Sequence, residues 1–166
     1  MRNYCTIIAA VGMNNVIGME GRLPWRIPSD LKWFNHYIIG KSLLMGRRTY
    51  ECLPPSKLPQ SDLIVLTRDM NAPAIPRVRY AHSMPEALKM ERTSRDLYVI
   101  GGTEVYAEAM PYTHRMLITR VHASPPGDTF FPEFGEEWDL ENIPCWEKRD
   151  PRDEFDTAHE IWVRYI

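Results

Sequence analysis

Residues 6–46, TIIAAVGMNNVIGMEGRLPWRIPSDLKWFNHYIIGKSLLMG, decide the fold class. TIIAAV (6–11) is a short continuous apolar run ending at Gly12, the pattern of a strand buried on both faces. Residues 12–28 carry Gly12, Gly18, Gly21, Pro24 and Pro28 and show no periodicity of their own. A loop that long without internal structure is expected to be functional or disordered. Pro28-Ser29-Asp30 then opens a helix through about Ile39, closed by Gly40. SLLMG (42–46) is a second buried strand. Apolar strands separated by a helix imply an α/β layer with parallel pairing.

The same alternation runs outward from this segment. Arg47 to Glu51 start a short helix stopped by Pro54-Pro55. DLIVLT (62–67) is a third strand, 78–81 a fourth, and 85–90 a helix of one or two turns. DLYVIGG (96–102) is a fifth strand running into two glycines, 103–110 the next helix, and MLITRVHA (116–123) a sixth strand. After Pro125-Pro126-Gly127, two late strands are expected near 138–147 and 158–166, with no helix between them. The last alternates polar and apolar and suits a half-exposed antiparallel edge. The reading is thus a mostly parallel sheet with an antiparallel finish, in which ligands gather at the carboxyl ends of the strands.

Composition bounds the function. The chain has 166 residues, 44% hydrophobic and 25% charged, which fits one domain spanning 1–166 and excludes disorder, collagen and coiled coil. No apolar run approaches the ~20 residues of a membrane span. The N-terminus has no convincing cleavage pattern, so a cytoplasmic protein is expected. Cys5, Cys52 and Cys145 are odd in number and far apart, which argues against a disulfide framework or zinc. The five His residues show no metal spacing, so no metal is expected.

The net charge of -2 hides a split: residues 40–95 hold ten Lys/Arg against five Asp/Glu, and residues 127–166 hold twelve Asp/Glu against four Lys/Arg. An acidic overall balance disfavours nucleic acid. A basic middle dominated by Arg hints at a phosphorylated ligand, although a solvated surface of mixed charge is as good a reading of the counts alone.

Three places carry candidate chemistry. Asp30 lies in the first turn of its helix, where a carboxylate ordinarily complements the helix dipole. It shares one face with Phe34 and Ile38, however, and if that face looks inward Asp30 is a carboxylate in an apolar cleft. Desolvation would then raise its pKa and call for a ligand with a guanidine-like or amidine-like edge. Gly46-Arg47-Arg48-Thr49 sits at a strand-to-helix junction, and Thr67-Arg68 ends the next strand. Three Arg and two Thr at consecutive strand ends point to a nucleotide carrying an extra phosphate. Ile100-Gly101-Gly102-Thr103 repeats the junction; Gly-Gly admits a close ligand approach, although GGTEVY is not GxGxxG and Glu104 would repel a nearby phosphate unless it points away.

IIAAVGMNNVIGMEGRLPWRIPSDLKWF (7–34) closely resembles the N-terminal segment of dihydrofolate reductases. The resemblance continues, in order, through LLMGRRTYE (43–51), LIVLTRD (63–69), VIGGTEVY (99–106) and GDTFFP (127–132). It implies a three-layer fold: a mostly parallel eight-stranded sheet with an antiparallel C-terminal strand, flanked by helices. It also implies NADPH-dependent reduction of 7,8-dihydrofolate to tetrahydrofolate, sensitivity to antifolates, and a monomer.

Carried over residue by residue, Asp30 falls on the family's active-site carboxylate, which holds the pterin 2-amino group and N3 and promotes protonation at N5 while hydride reaches C6. Thr119 matches the threonine that hydrogen-bonds this site, and Trp25 the tryptophan near a bound water. Ile8, Ala9, Leu31, Phe34, Lys57, Leu58, Ile100 and Tyr106 would form the substrate pocket. Ala10, Ile17, Gly18, Gly21 and Leu23, the last four in the mobile loop, would meet the cofactor. Gly46, Arg47, Arg48, Thr49, Thr67, Arg68 and His82 would hold its adenosine phosphates, including the 2′-phosphate, which favours NADPH over NADH. Gly101-Gly102, a pair the family joins by a cis peptide, would complete the cofactor site with Thr103, Glu104 and Val105.

Three departures stand out. The family usually has an Arg just after its LPG or LPN, clamping the α-carboxylate of the folate tail; here Leu58-Pro59-Gln60-Ser61 puts Ser61 there. Losing a bidentate charged pair costs roughly 2–4 kcal/mol. Either Lys57 or Lys32 compensates, or the substrate is another pterin, such as a dihydromethanopterin, or a riboflavin precursor. Thr103-Glu104 replaces a third Gly and, in some members, an Arg. His82 stands where some members have Lys.

Overall fold

The computed structural model describes residues 5–53, 58, 61–91 and 97–165. The described elements are, in order, β1 (Cys5–Gly12), β2 (Val16–Gly18), α1 (Pro28–Ile38), β3 (Ser42–Gly46), α2 (Arg47–Cys52), β4 (Asp62–Leu66), β5 (Val78–Ala81), α3 (Met84–Met90), β6 (Leu97–Val99), α4 (Thr103–Ala109), β7 (Thr113–Val121), β8 (Thr129–Phe130), β9 (Asp139–Leu140) and β10 (Thr157–Val163). Eight strands form one sheet in the order β5-β4-β3-β6-β1-β7-β10-β9. Pairing is parallel from β5 through to β7, and antiparallel from β7 to β10 and β10 to β9.

The continuous apolar runs are explained by two-sided burial. Alternate residues of the central strands enter two separate cores. Ile7, Val11, Leu44, Ile64, Val99, Met116 and Ile118 join one, with Met84, Ala87 and Leu88 of α3 and Val105, Tyr106 and Ala109 of α4. Ile8, Leu43, Met45, Leu63, Val65 and Leu117 join the other, with Ile38 and Phe34 of α1 and Tyr50 of α2. Helices on both faces make three layers, which is what a parallel sheet requires. A smaller cluster of Trp25, Ile27 and Val121, with Ala10 against it, closes the end of the sheet where the strands terminate.

Chain order reverses beside β1. After β3, β4 and β5 step outward, α3 returns the chain and β6 inserts between β3 and β1. A reversal of that kind opens a crevice at the carboxyl ends of the strands.

Three expectations need correcting. The 12–28 segment is not structureless: β2 pairs with β8, and Met19 bridges Arg22. Asn14 Nδ2 donates to Pro125 O at 2.8 Å, and Glu20 N–H donates to Asp128 Oδ2 at 3.0 Å. Gly127 is required there, since a Cβ on it would lie 2.2 Å from Val16 Cγ1. The expected strand at 138–147 shrinks to Asp139–Leu140 and an isolated Glu147–Thr157 bridge. Asn142 interrupts it by side-chain bonds to β10, donating to His159 O and accepting from Ile161 N–H, both at 2.8 Å, and Pro144 has no N–H to offer. The fifth strand stops at Val99, because Ile100 N–H and Gly101 O turn to Leu44 O and Gly46 N–H at the mouth of the crevice.

Candidate active site

Asp30 stands in the first turn of α1, its N–H bonded to Ile27 O at 3.0 Å. Pro28 pre-sets the helical φ, so the helix begins at this point whatever precedes it. Phe34, one turn on, packs with Ile8, Leu58 and Ile100. The inward-facing reading of that helix face is therefore correct. Burial pushes the Asp30 carboxyl up from 3.8 to about 6. A hydrogen bond from the Thr119 side chain opposes this, the charge of Asp153 adds to it, and Arg149 opposes it. Thr119 is 2% exposed on β7, level with Ala10 on β1 and His159 on β10. Trp25 is buried, and among the described residues its indole N–H has no hydrogen-bond partner.

The remaining expected substrate residues divide. Ile8 and Leu58 are buried walls, and Leu31 is 49% exposed on the outer side of α1. Ala9 and Tyr106 belong to the first core, and Tyr106 reaches the site by donating its hydroxyl proton to Ile8 O at 3.0 Å. Burial raises that hydroxyl's pKa, so it remains a donor. Lys57 lies outside the described residues. Ser61 is buried, its hydroxyl donating to Ile38 O at 3.2 Å. The guanidinium that adjoins this stretch is Arg77, whose Nη2 donates to Ser61 O at 3.0 Å and Leu58 O at 3.4 Å.

The expected nucleotide residues form a second half. β3, β4 and β5 run level, Gly46 against Leu66 and Leu66 against Ala81, so Arg47, Thr67 and His82 emerge at one edge. His82 Nδ1 lies 2.9 Å from Thr67 O, and Thr67 N–H donates to Ala81 O at 2.9 Å. Gly46 N–H donates to Gly101 O at 2.8 Å, which ties β3 to the Gly101-Gly102 turn, whose peptide is cis. A Cβ on Gly46 would sit 3.1 Å from Val105 Cγ2, and one on Gly101 (φ +131°) 3.5 Å from Thr49 Oγ1. The floor is thus side-chain-free, with a threonine hydroxyl at its margin. Thr103 donates to Phe130 O at 2.7 Å, and Glu104 is exposed. Arg48 and Arg68 have no carboxylate within ion-pair range among the described residues, whereas Arg47 is engaged by Glu51 at 3.1 Å and Asp69 at 3.7 Å. Ile17 and Gly18 lie on β2, Gly21 has φ +77°, and Leu23 is 52% exposed.

Three residues near Asp30 escaped the sequence reading: Asp153, Arg149 and His159. His159 stacks on Trp33 with centroids 3.7 Å apart, and burial pushes its pKa down to about 4. All three lie over a hundred residues from Asp30, and only the β7–β10 pairing, hinted at by the alternating AHEIWVRY, could have brought one of them near. Among the described residues, no three His, Cys, Asp or Glu are grouped to hold a metal ion, and no helix is long and apolar enough to cross a membrane.

A desolvated carboxylate in an apolar pocket, beside a glycine-floored edge with guanidinium groups that have no carboxylate in ion-pair range among the described residues, defines an α/β protein shaped for a two-part ligand. Comparison with known proteins narrows this. The dihydrofolate reductase family model matches residues 4–164. The dihydrofolate reductase of Haemophilus influenzae is 32% identical over 160 residues, covering 96% of this chain and 98% of that one. That of Neisseria gonorrhoeae is 39% identical over 128 residues, 77% and 78% respectively. A dihydrofolate reductase from Enterococcus faecalis, complexed with NADP(H) and RAB-propyl, superposes with a TM-score of 0.87 at 31% identity, covering 100% of this chain and 99% of that one. The chain belongs to the dihydrofolate reductase family.

Proposed function

We propose that this chain, as one domain spanning 1–166, reduces 7,8-dihydrofolate to tetrahydrofolate at the Asp30 cleft, with NADPH held along the Gly46–Gly101 edge. The observation that carries the reading is the Asp30 carboxyl itself: half-buried on the helix face that carries Phe34, bonded by Thr119, and raised by desolvation to about 6. A carboxyl so tuned is half-protonated near pH 6 and still about a tenth protonated at pH 7, so it can both bind a donor-rich pterin edge and promote protonation at N5. Thr119 fixes the orientation of the carboxyl. Trp25, with a buried N–H and no protein acceptor among the described residues, suits a polar partner beside the pterin. Ile8, Phe34 and Leu58 keep bulk water from the ring.

The cofactor edge fits NADPH: Gly46 and Gly101 keep the β3 end and the glycine turn close together, Thr49 offers a hydroxyl, and Arg48 and Arg68, with no carboxylate in ion-pair range among the described residues, offer forks for a phosphate. NADPH, when bound, supplies the hydride. Arg47, already engaged by Glu51 and Asp69, is a weaker phosphate ligand than the sequence suggested. The loop of residues 12–27, carrying Leu23 exposed, would close over the nicotinamide and exclude water.

The other-pterin reading rests on Ser61, and the named relatives do not favour it. Steady-state NADPH oxidation with mono- and polyglutamyl dihydrofolate tests the proposal. Rapid turnover at low substrate is expected. Tight NADPH binding with slow turnover or a very high KM for both forms would overturn it. Antifolate binding, a monomeric state and a cytoplasmic location complete the reading.

A further inference from the structure

The helix that presents Asp30 has no cap of its own. Its N-cap residue is Ile27, which has no side-chain acceptor. The acceptor comes from 124 residues away: Asp153 takes the Ser29 N–H on Oδ1 at 3.1 Å and the Ser29 hydroxyl on Oδ2 at 2.6 Å. Asp153 is 2% exposed, and its Oδ2 also accepts Asp150 N–H at 3.1 Å. The next residue is fastened to the segment that leads into α1, since Glu154 N–H donates to Arg26 O at 3.1 Å and Arg26 N–H donates to the Glu154 carboxylate. Burying a carboxylate is costly unless each oxygen is satisfied, and here one of the donors, the Ser29 N–H, is one that the first turn of a helix leaves over. A capping anion at that position is favoured by the helix dipole.

We propose that Asp153 is a positioning residue for the reaction: it caps α1 through Ser29 and so holds Asp30, the next residue, in the cleft beside Thr119. The inference rests on the reading of Asp30 as the catalytic carboxylate. Two carboxylates then share one helix N-terminus. Asp153 does not touch the pterin pocket; it acts through Ser29 and through its field. The charge of Asp153 raises the Asp30 pKa, whereas Arg149 on the same connecting strap lowers it. Arg149 is itself held by Thr157 O and Oγ1, both at 2.7 Å, and by Glu147 at 3.0 Å. The other groups around the cleft add little charge. His159 on β10 is neutral above about 4, Thr119 and Trp25 do not titrate, Asp150 is paired with Arg152 at 2.9 Å, and Lys32 is exposed on α1. A cap of Asn or Ser would still accept the Ser29 N–H without repelling Asp30, though it could not take all three donors that Asp153 takes. The use of a charged cap thus has a consequence that capping alone does not explain.

The test compares Asp153→Asn, Ser29→Ala and Asp30→Asn as full-length enzymes, by kcat and KM across pH. Asp153→Asn keeps an acceptor for Ser29 N–H but removes the charge. The apparent pKa of the alkaline limb should fall, reducing turnover on that limb ~3- to 10-fold while leaving KM for NADPH unchanged. Ser29→Ala keeps the charge, so the limb should stay in place while kcat/KM for dihydrofolate drops ~3- to 10-fold through the loosened helix start. If Asp153→Asn does not fold, Ser29→Ala still decides the positioning arm: an unchanged kcat/KM overturns it. A folded Asp153→Asn with an unmoved limb overturns the charge arm. Asp30→Asn separates the two failures, since unaltered turnover in that variant removes the reading of Asp30 itself.

Discussion

Around Asp30 the cleft is walled by Ile8, Phe34, Leu58 and Thr119, buried or half-buried, and its one titrating group is held well above the ordinary carboxylate range. Along the proposed cofactor edge the cations are Arg47, Arg48 and Arg68, all exposed. The same sheet end therefore offers two different kinds of recognition. On the pterin side the surrounding protein sets the protonation state, and salt has little access. On the nucleotide side solvent screens every charge, so affinity has to come from geometry and number. Side-chain-free glycines matter only on that second side, where the ligand must lie against backbone.

The sharpest way to break this contrast is to neutralise the buried carboxyl. Asp30→Asn should lower kcat at pH 7 by ~10²- to 10⁴-fold, the usual weight of a general acid–base group, and spare NADPH affinity. Steady-state kinetics paired with a fluorescence titration of NADPH check both halves. A loss of less than tenfold would mean that the buried side is only a binding pocket.

The exposed side should respond through binding instead. Arg48→Ala and Arg68→Ala are each expected to raise KM for NADPH by ~10-fold, from the loss of a charge-assisted phosphate contact, and to leave kcat within a factor of two or so. KM for NADH should hardly move, so the preference between the two cofactors narrows. Raising the salt from low to about 0.5 M should weaken NADPH binding in the wild type and do so less in either variant. Equal losses with NADH would place these arginines elsewhere than on the 2′-phosphate.

The pterin half should also be legible in stability. Asp30 titrates at about 6 in the fold against 3.8 ordinarily, so the folded state holds its proton more tightly than the unfolded chain. The resulting contribution is fully present below about pH 4 and is lost as pH rises through about 6. At pH 7 the ionised carboxylate then burdens the fold by on the order of 2 kcal/mol. Asp30→Asn should raise Tm at pH 7 by several degrees and have little effect at pH 4. Thermal melts at the two pH values decide it; equal shifts at both would mean that the gain comes from packing rather than from the removed charge.

The two halves also differed in how far the sequence disclosed them. The fold was readable because its strands are apolar runs buried on both faces, as in TIIAAV and DLIVLT, punctuated by Pro and Gly. Asp30 was readable because Phe34 and Ile38 share its helix face, a local relation. The strand ends carrying Arg47, Thr67 and Gly101 were readable for the same reason: each is a junction within one short window. What escaped depends on pairing across long separations. The β2–β8 ribbon inside the glycine loop is two short segments with no periodicity to detect. Asp153 reads as one acid among twelve in the C-terminal forty residues, and only the folded chain brings it to Ser29. The expected strand at 138–147 failed because a side chain, Asn142, supplies the bonds that a continuous ladder would have made. Nor does sequence reveal which of several neighbouring cations is free: Arg47 and Arg48 are adjacent, and only the first meets Glu51 and Asp69.

That last difference gives the smallest and most discriminating prediction. Arg47 and Arg48 have the same chemistry, the same exposure and adjacent places at the start of α2. If count of charge alone governed the cofactor edge, Arg47→Ala and Arg48→Ala would weaken NADPH equally. Since Arg47 is already satisfied by two carboxylates, its phosphate contact would have to replace those pairs, and an exposed pair is worth ~0.2–1 kcal/mol in either direction. Arg47→Ala is therefore expected to change KM for NADPH by less than about threefold. Glu51→Gln, which removes the nearer of the two carboxylates on Arg47, should tighten NADPH by a similarly small factor, and Arg47→Ala in that background should then cost more than it does alone. A double-mutant cycle on residues 47 and 51, read as KM for NADPH at low salt, measures this coupling directly. Additive effects would show that the two arginines act alike despite their different partners, and that the edge is governed by net charge alone.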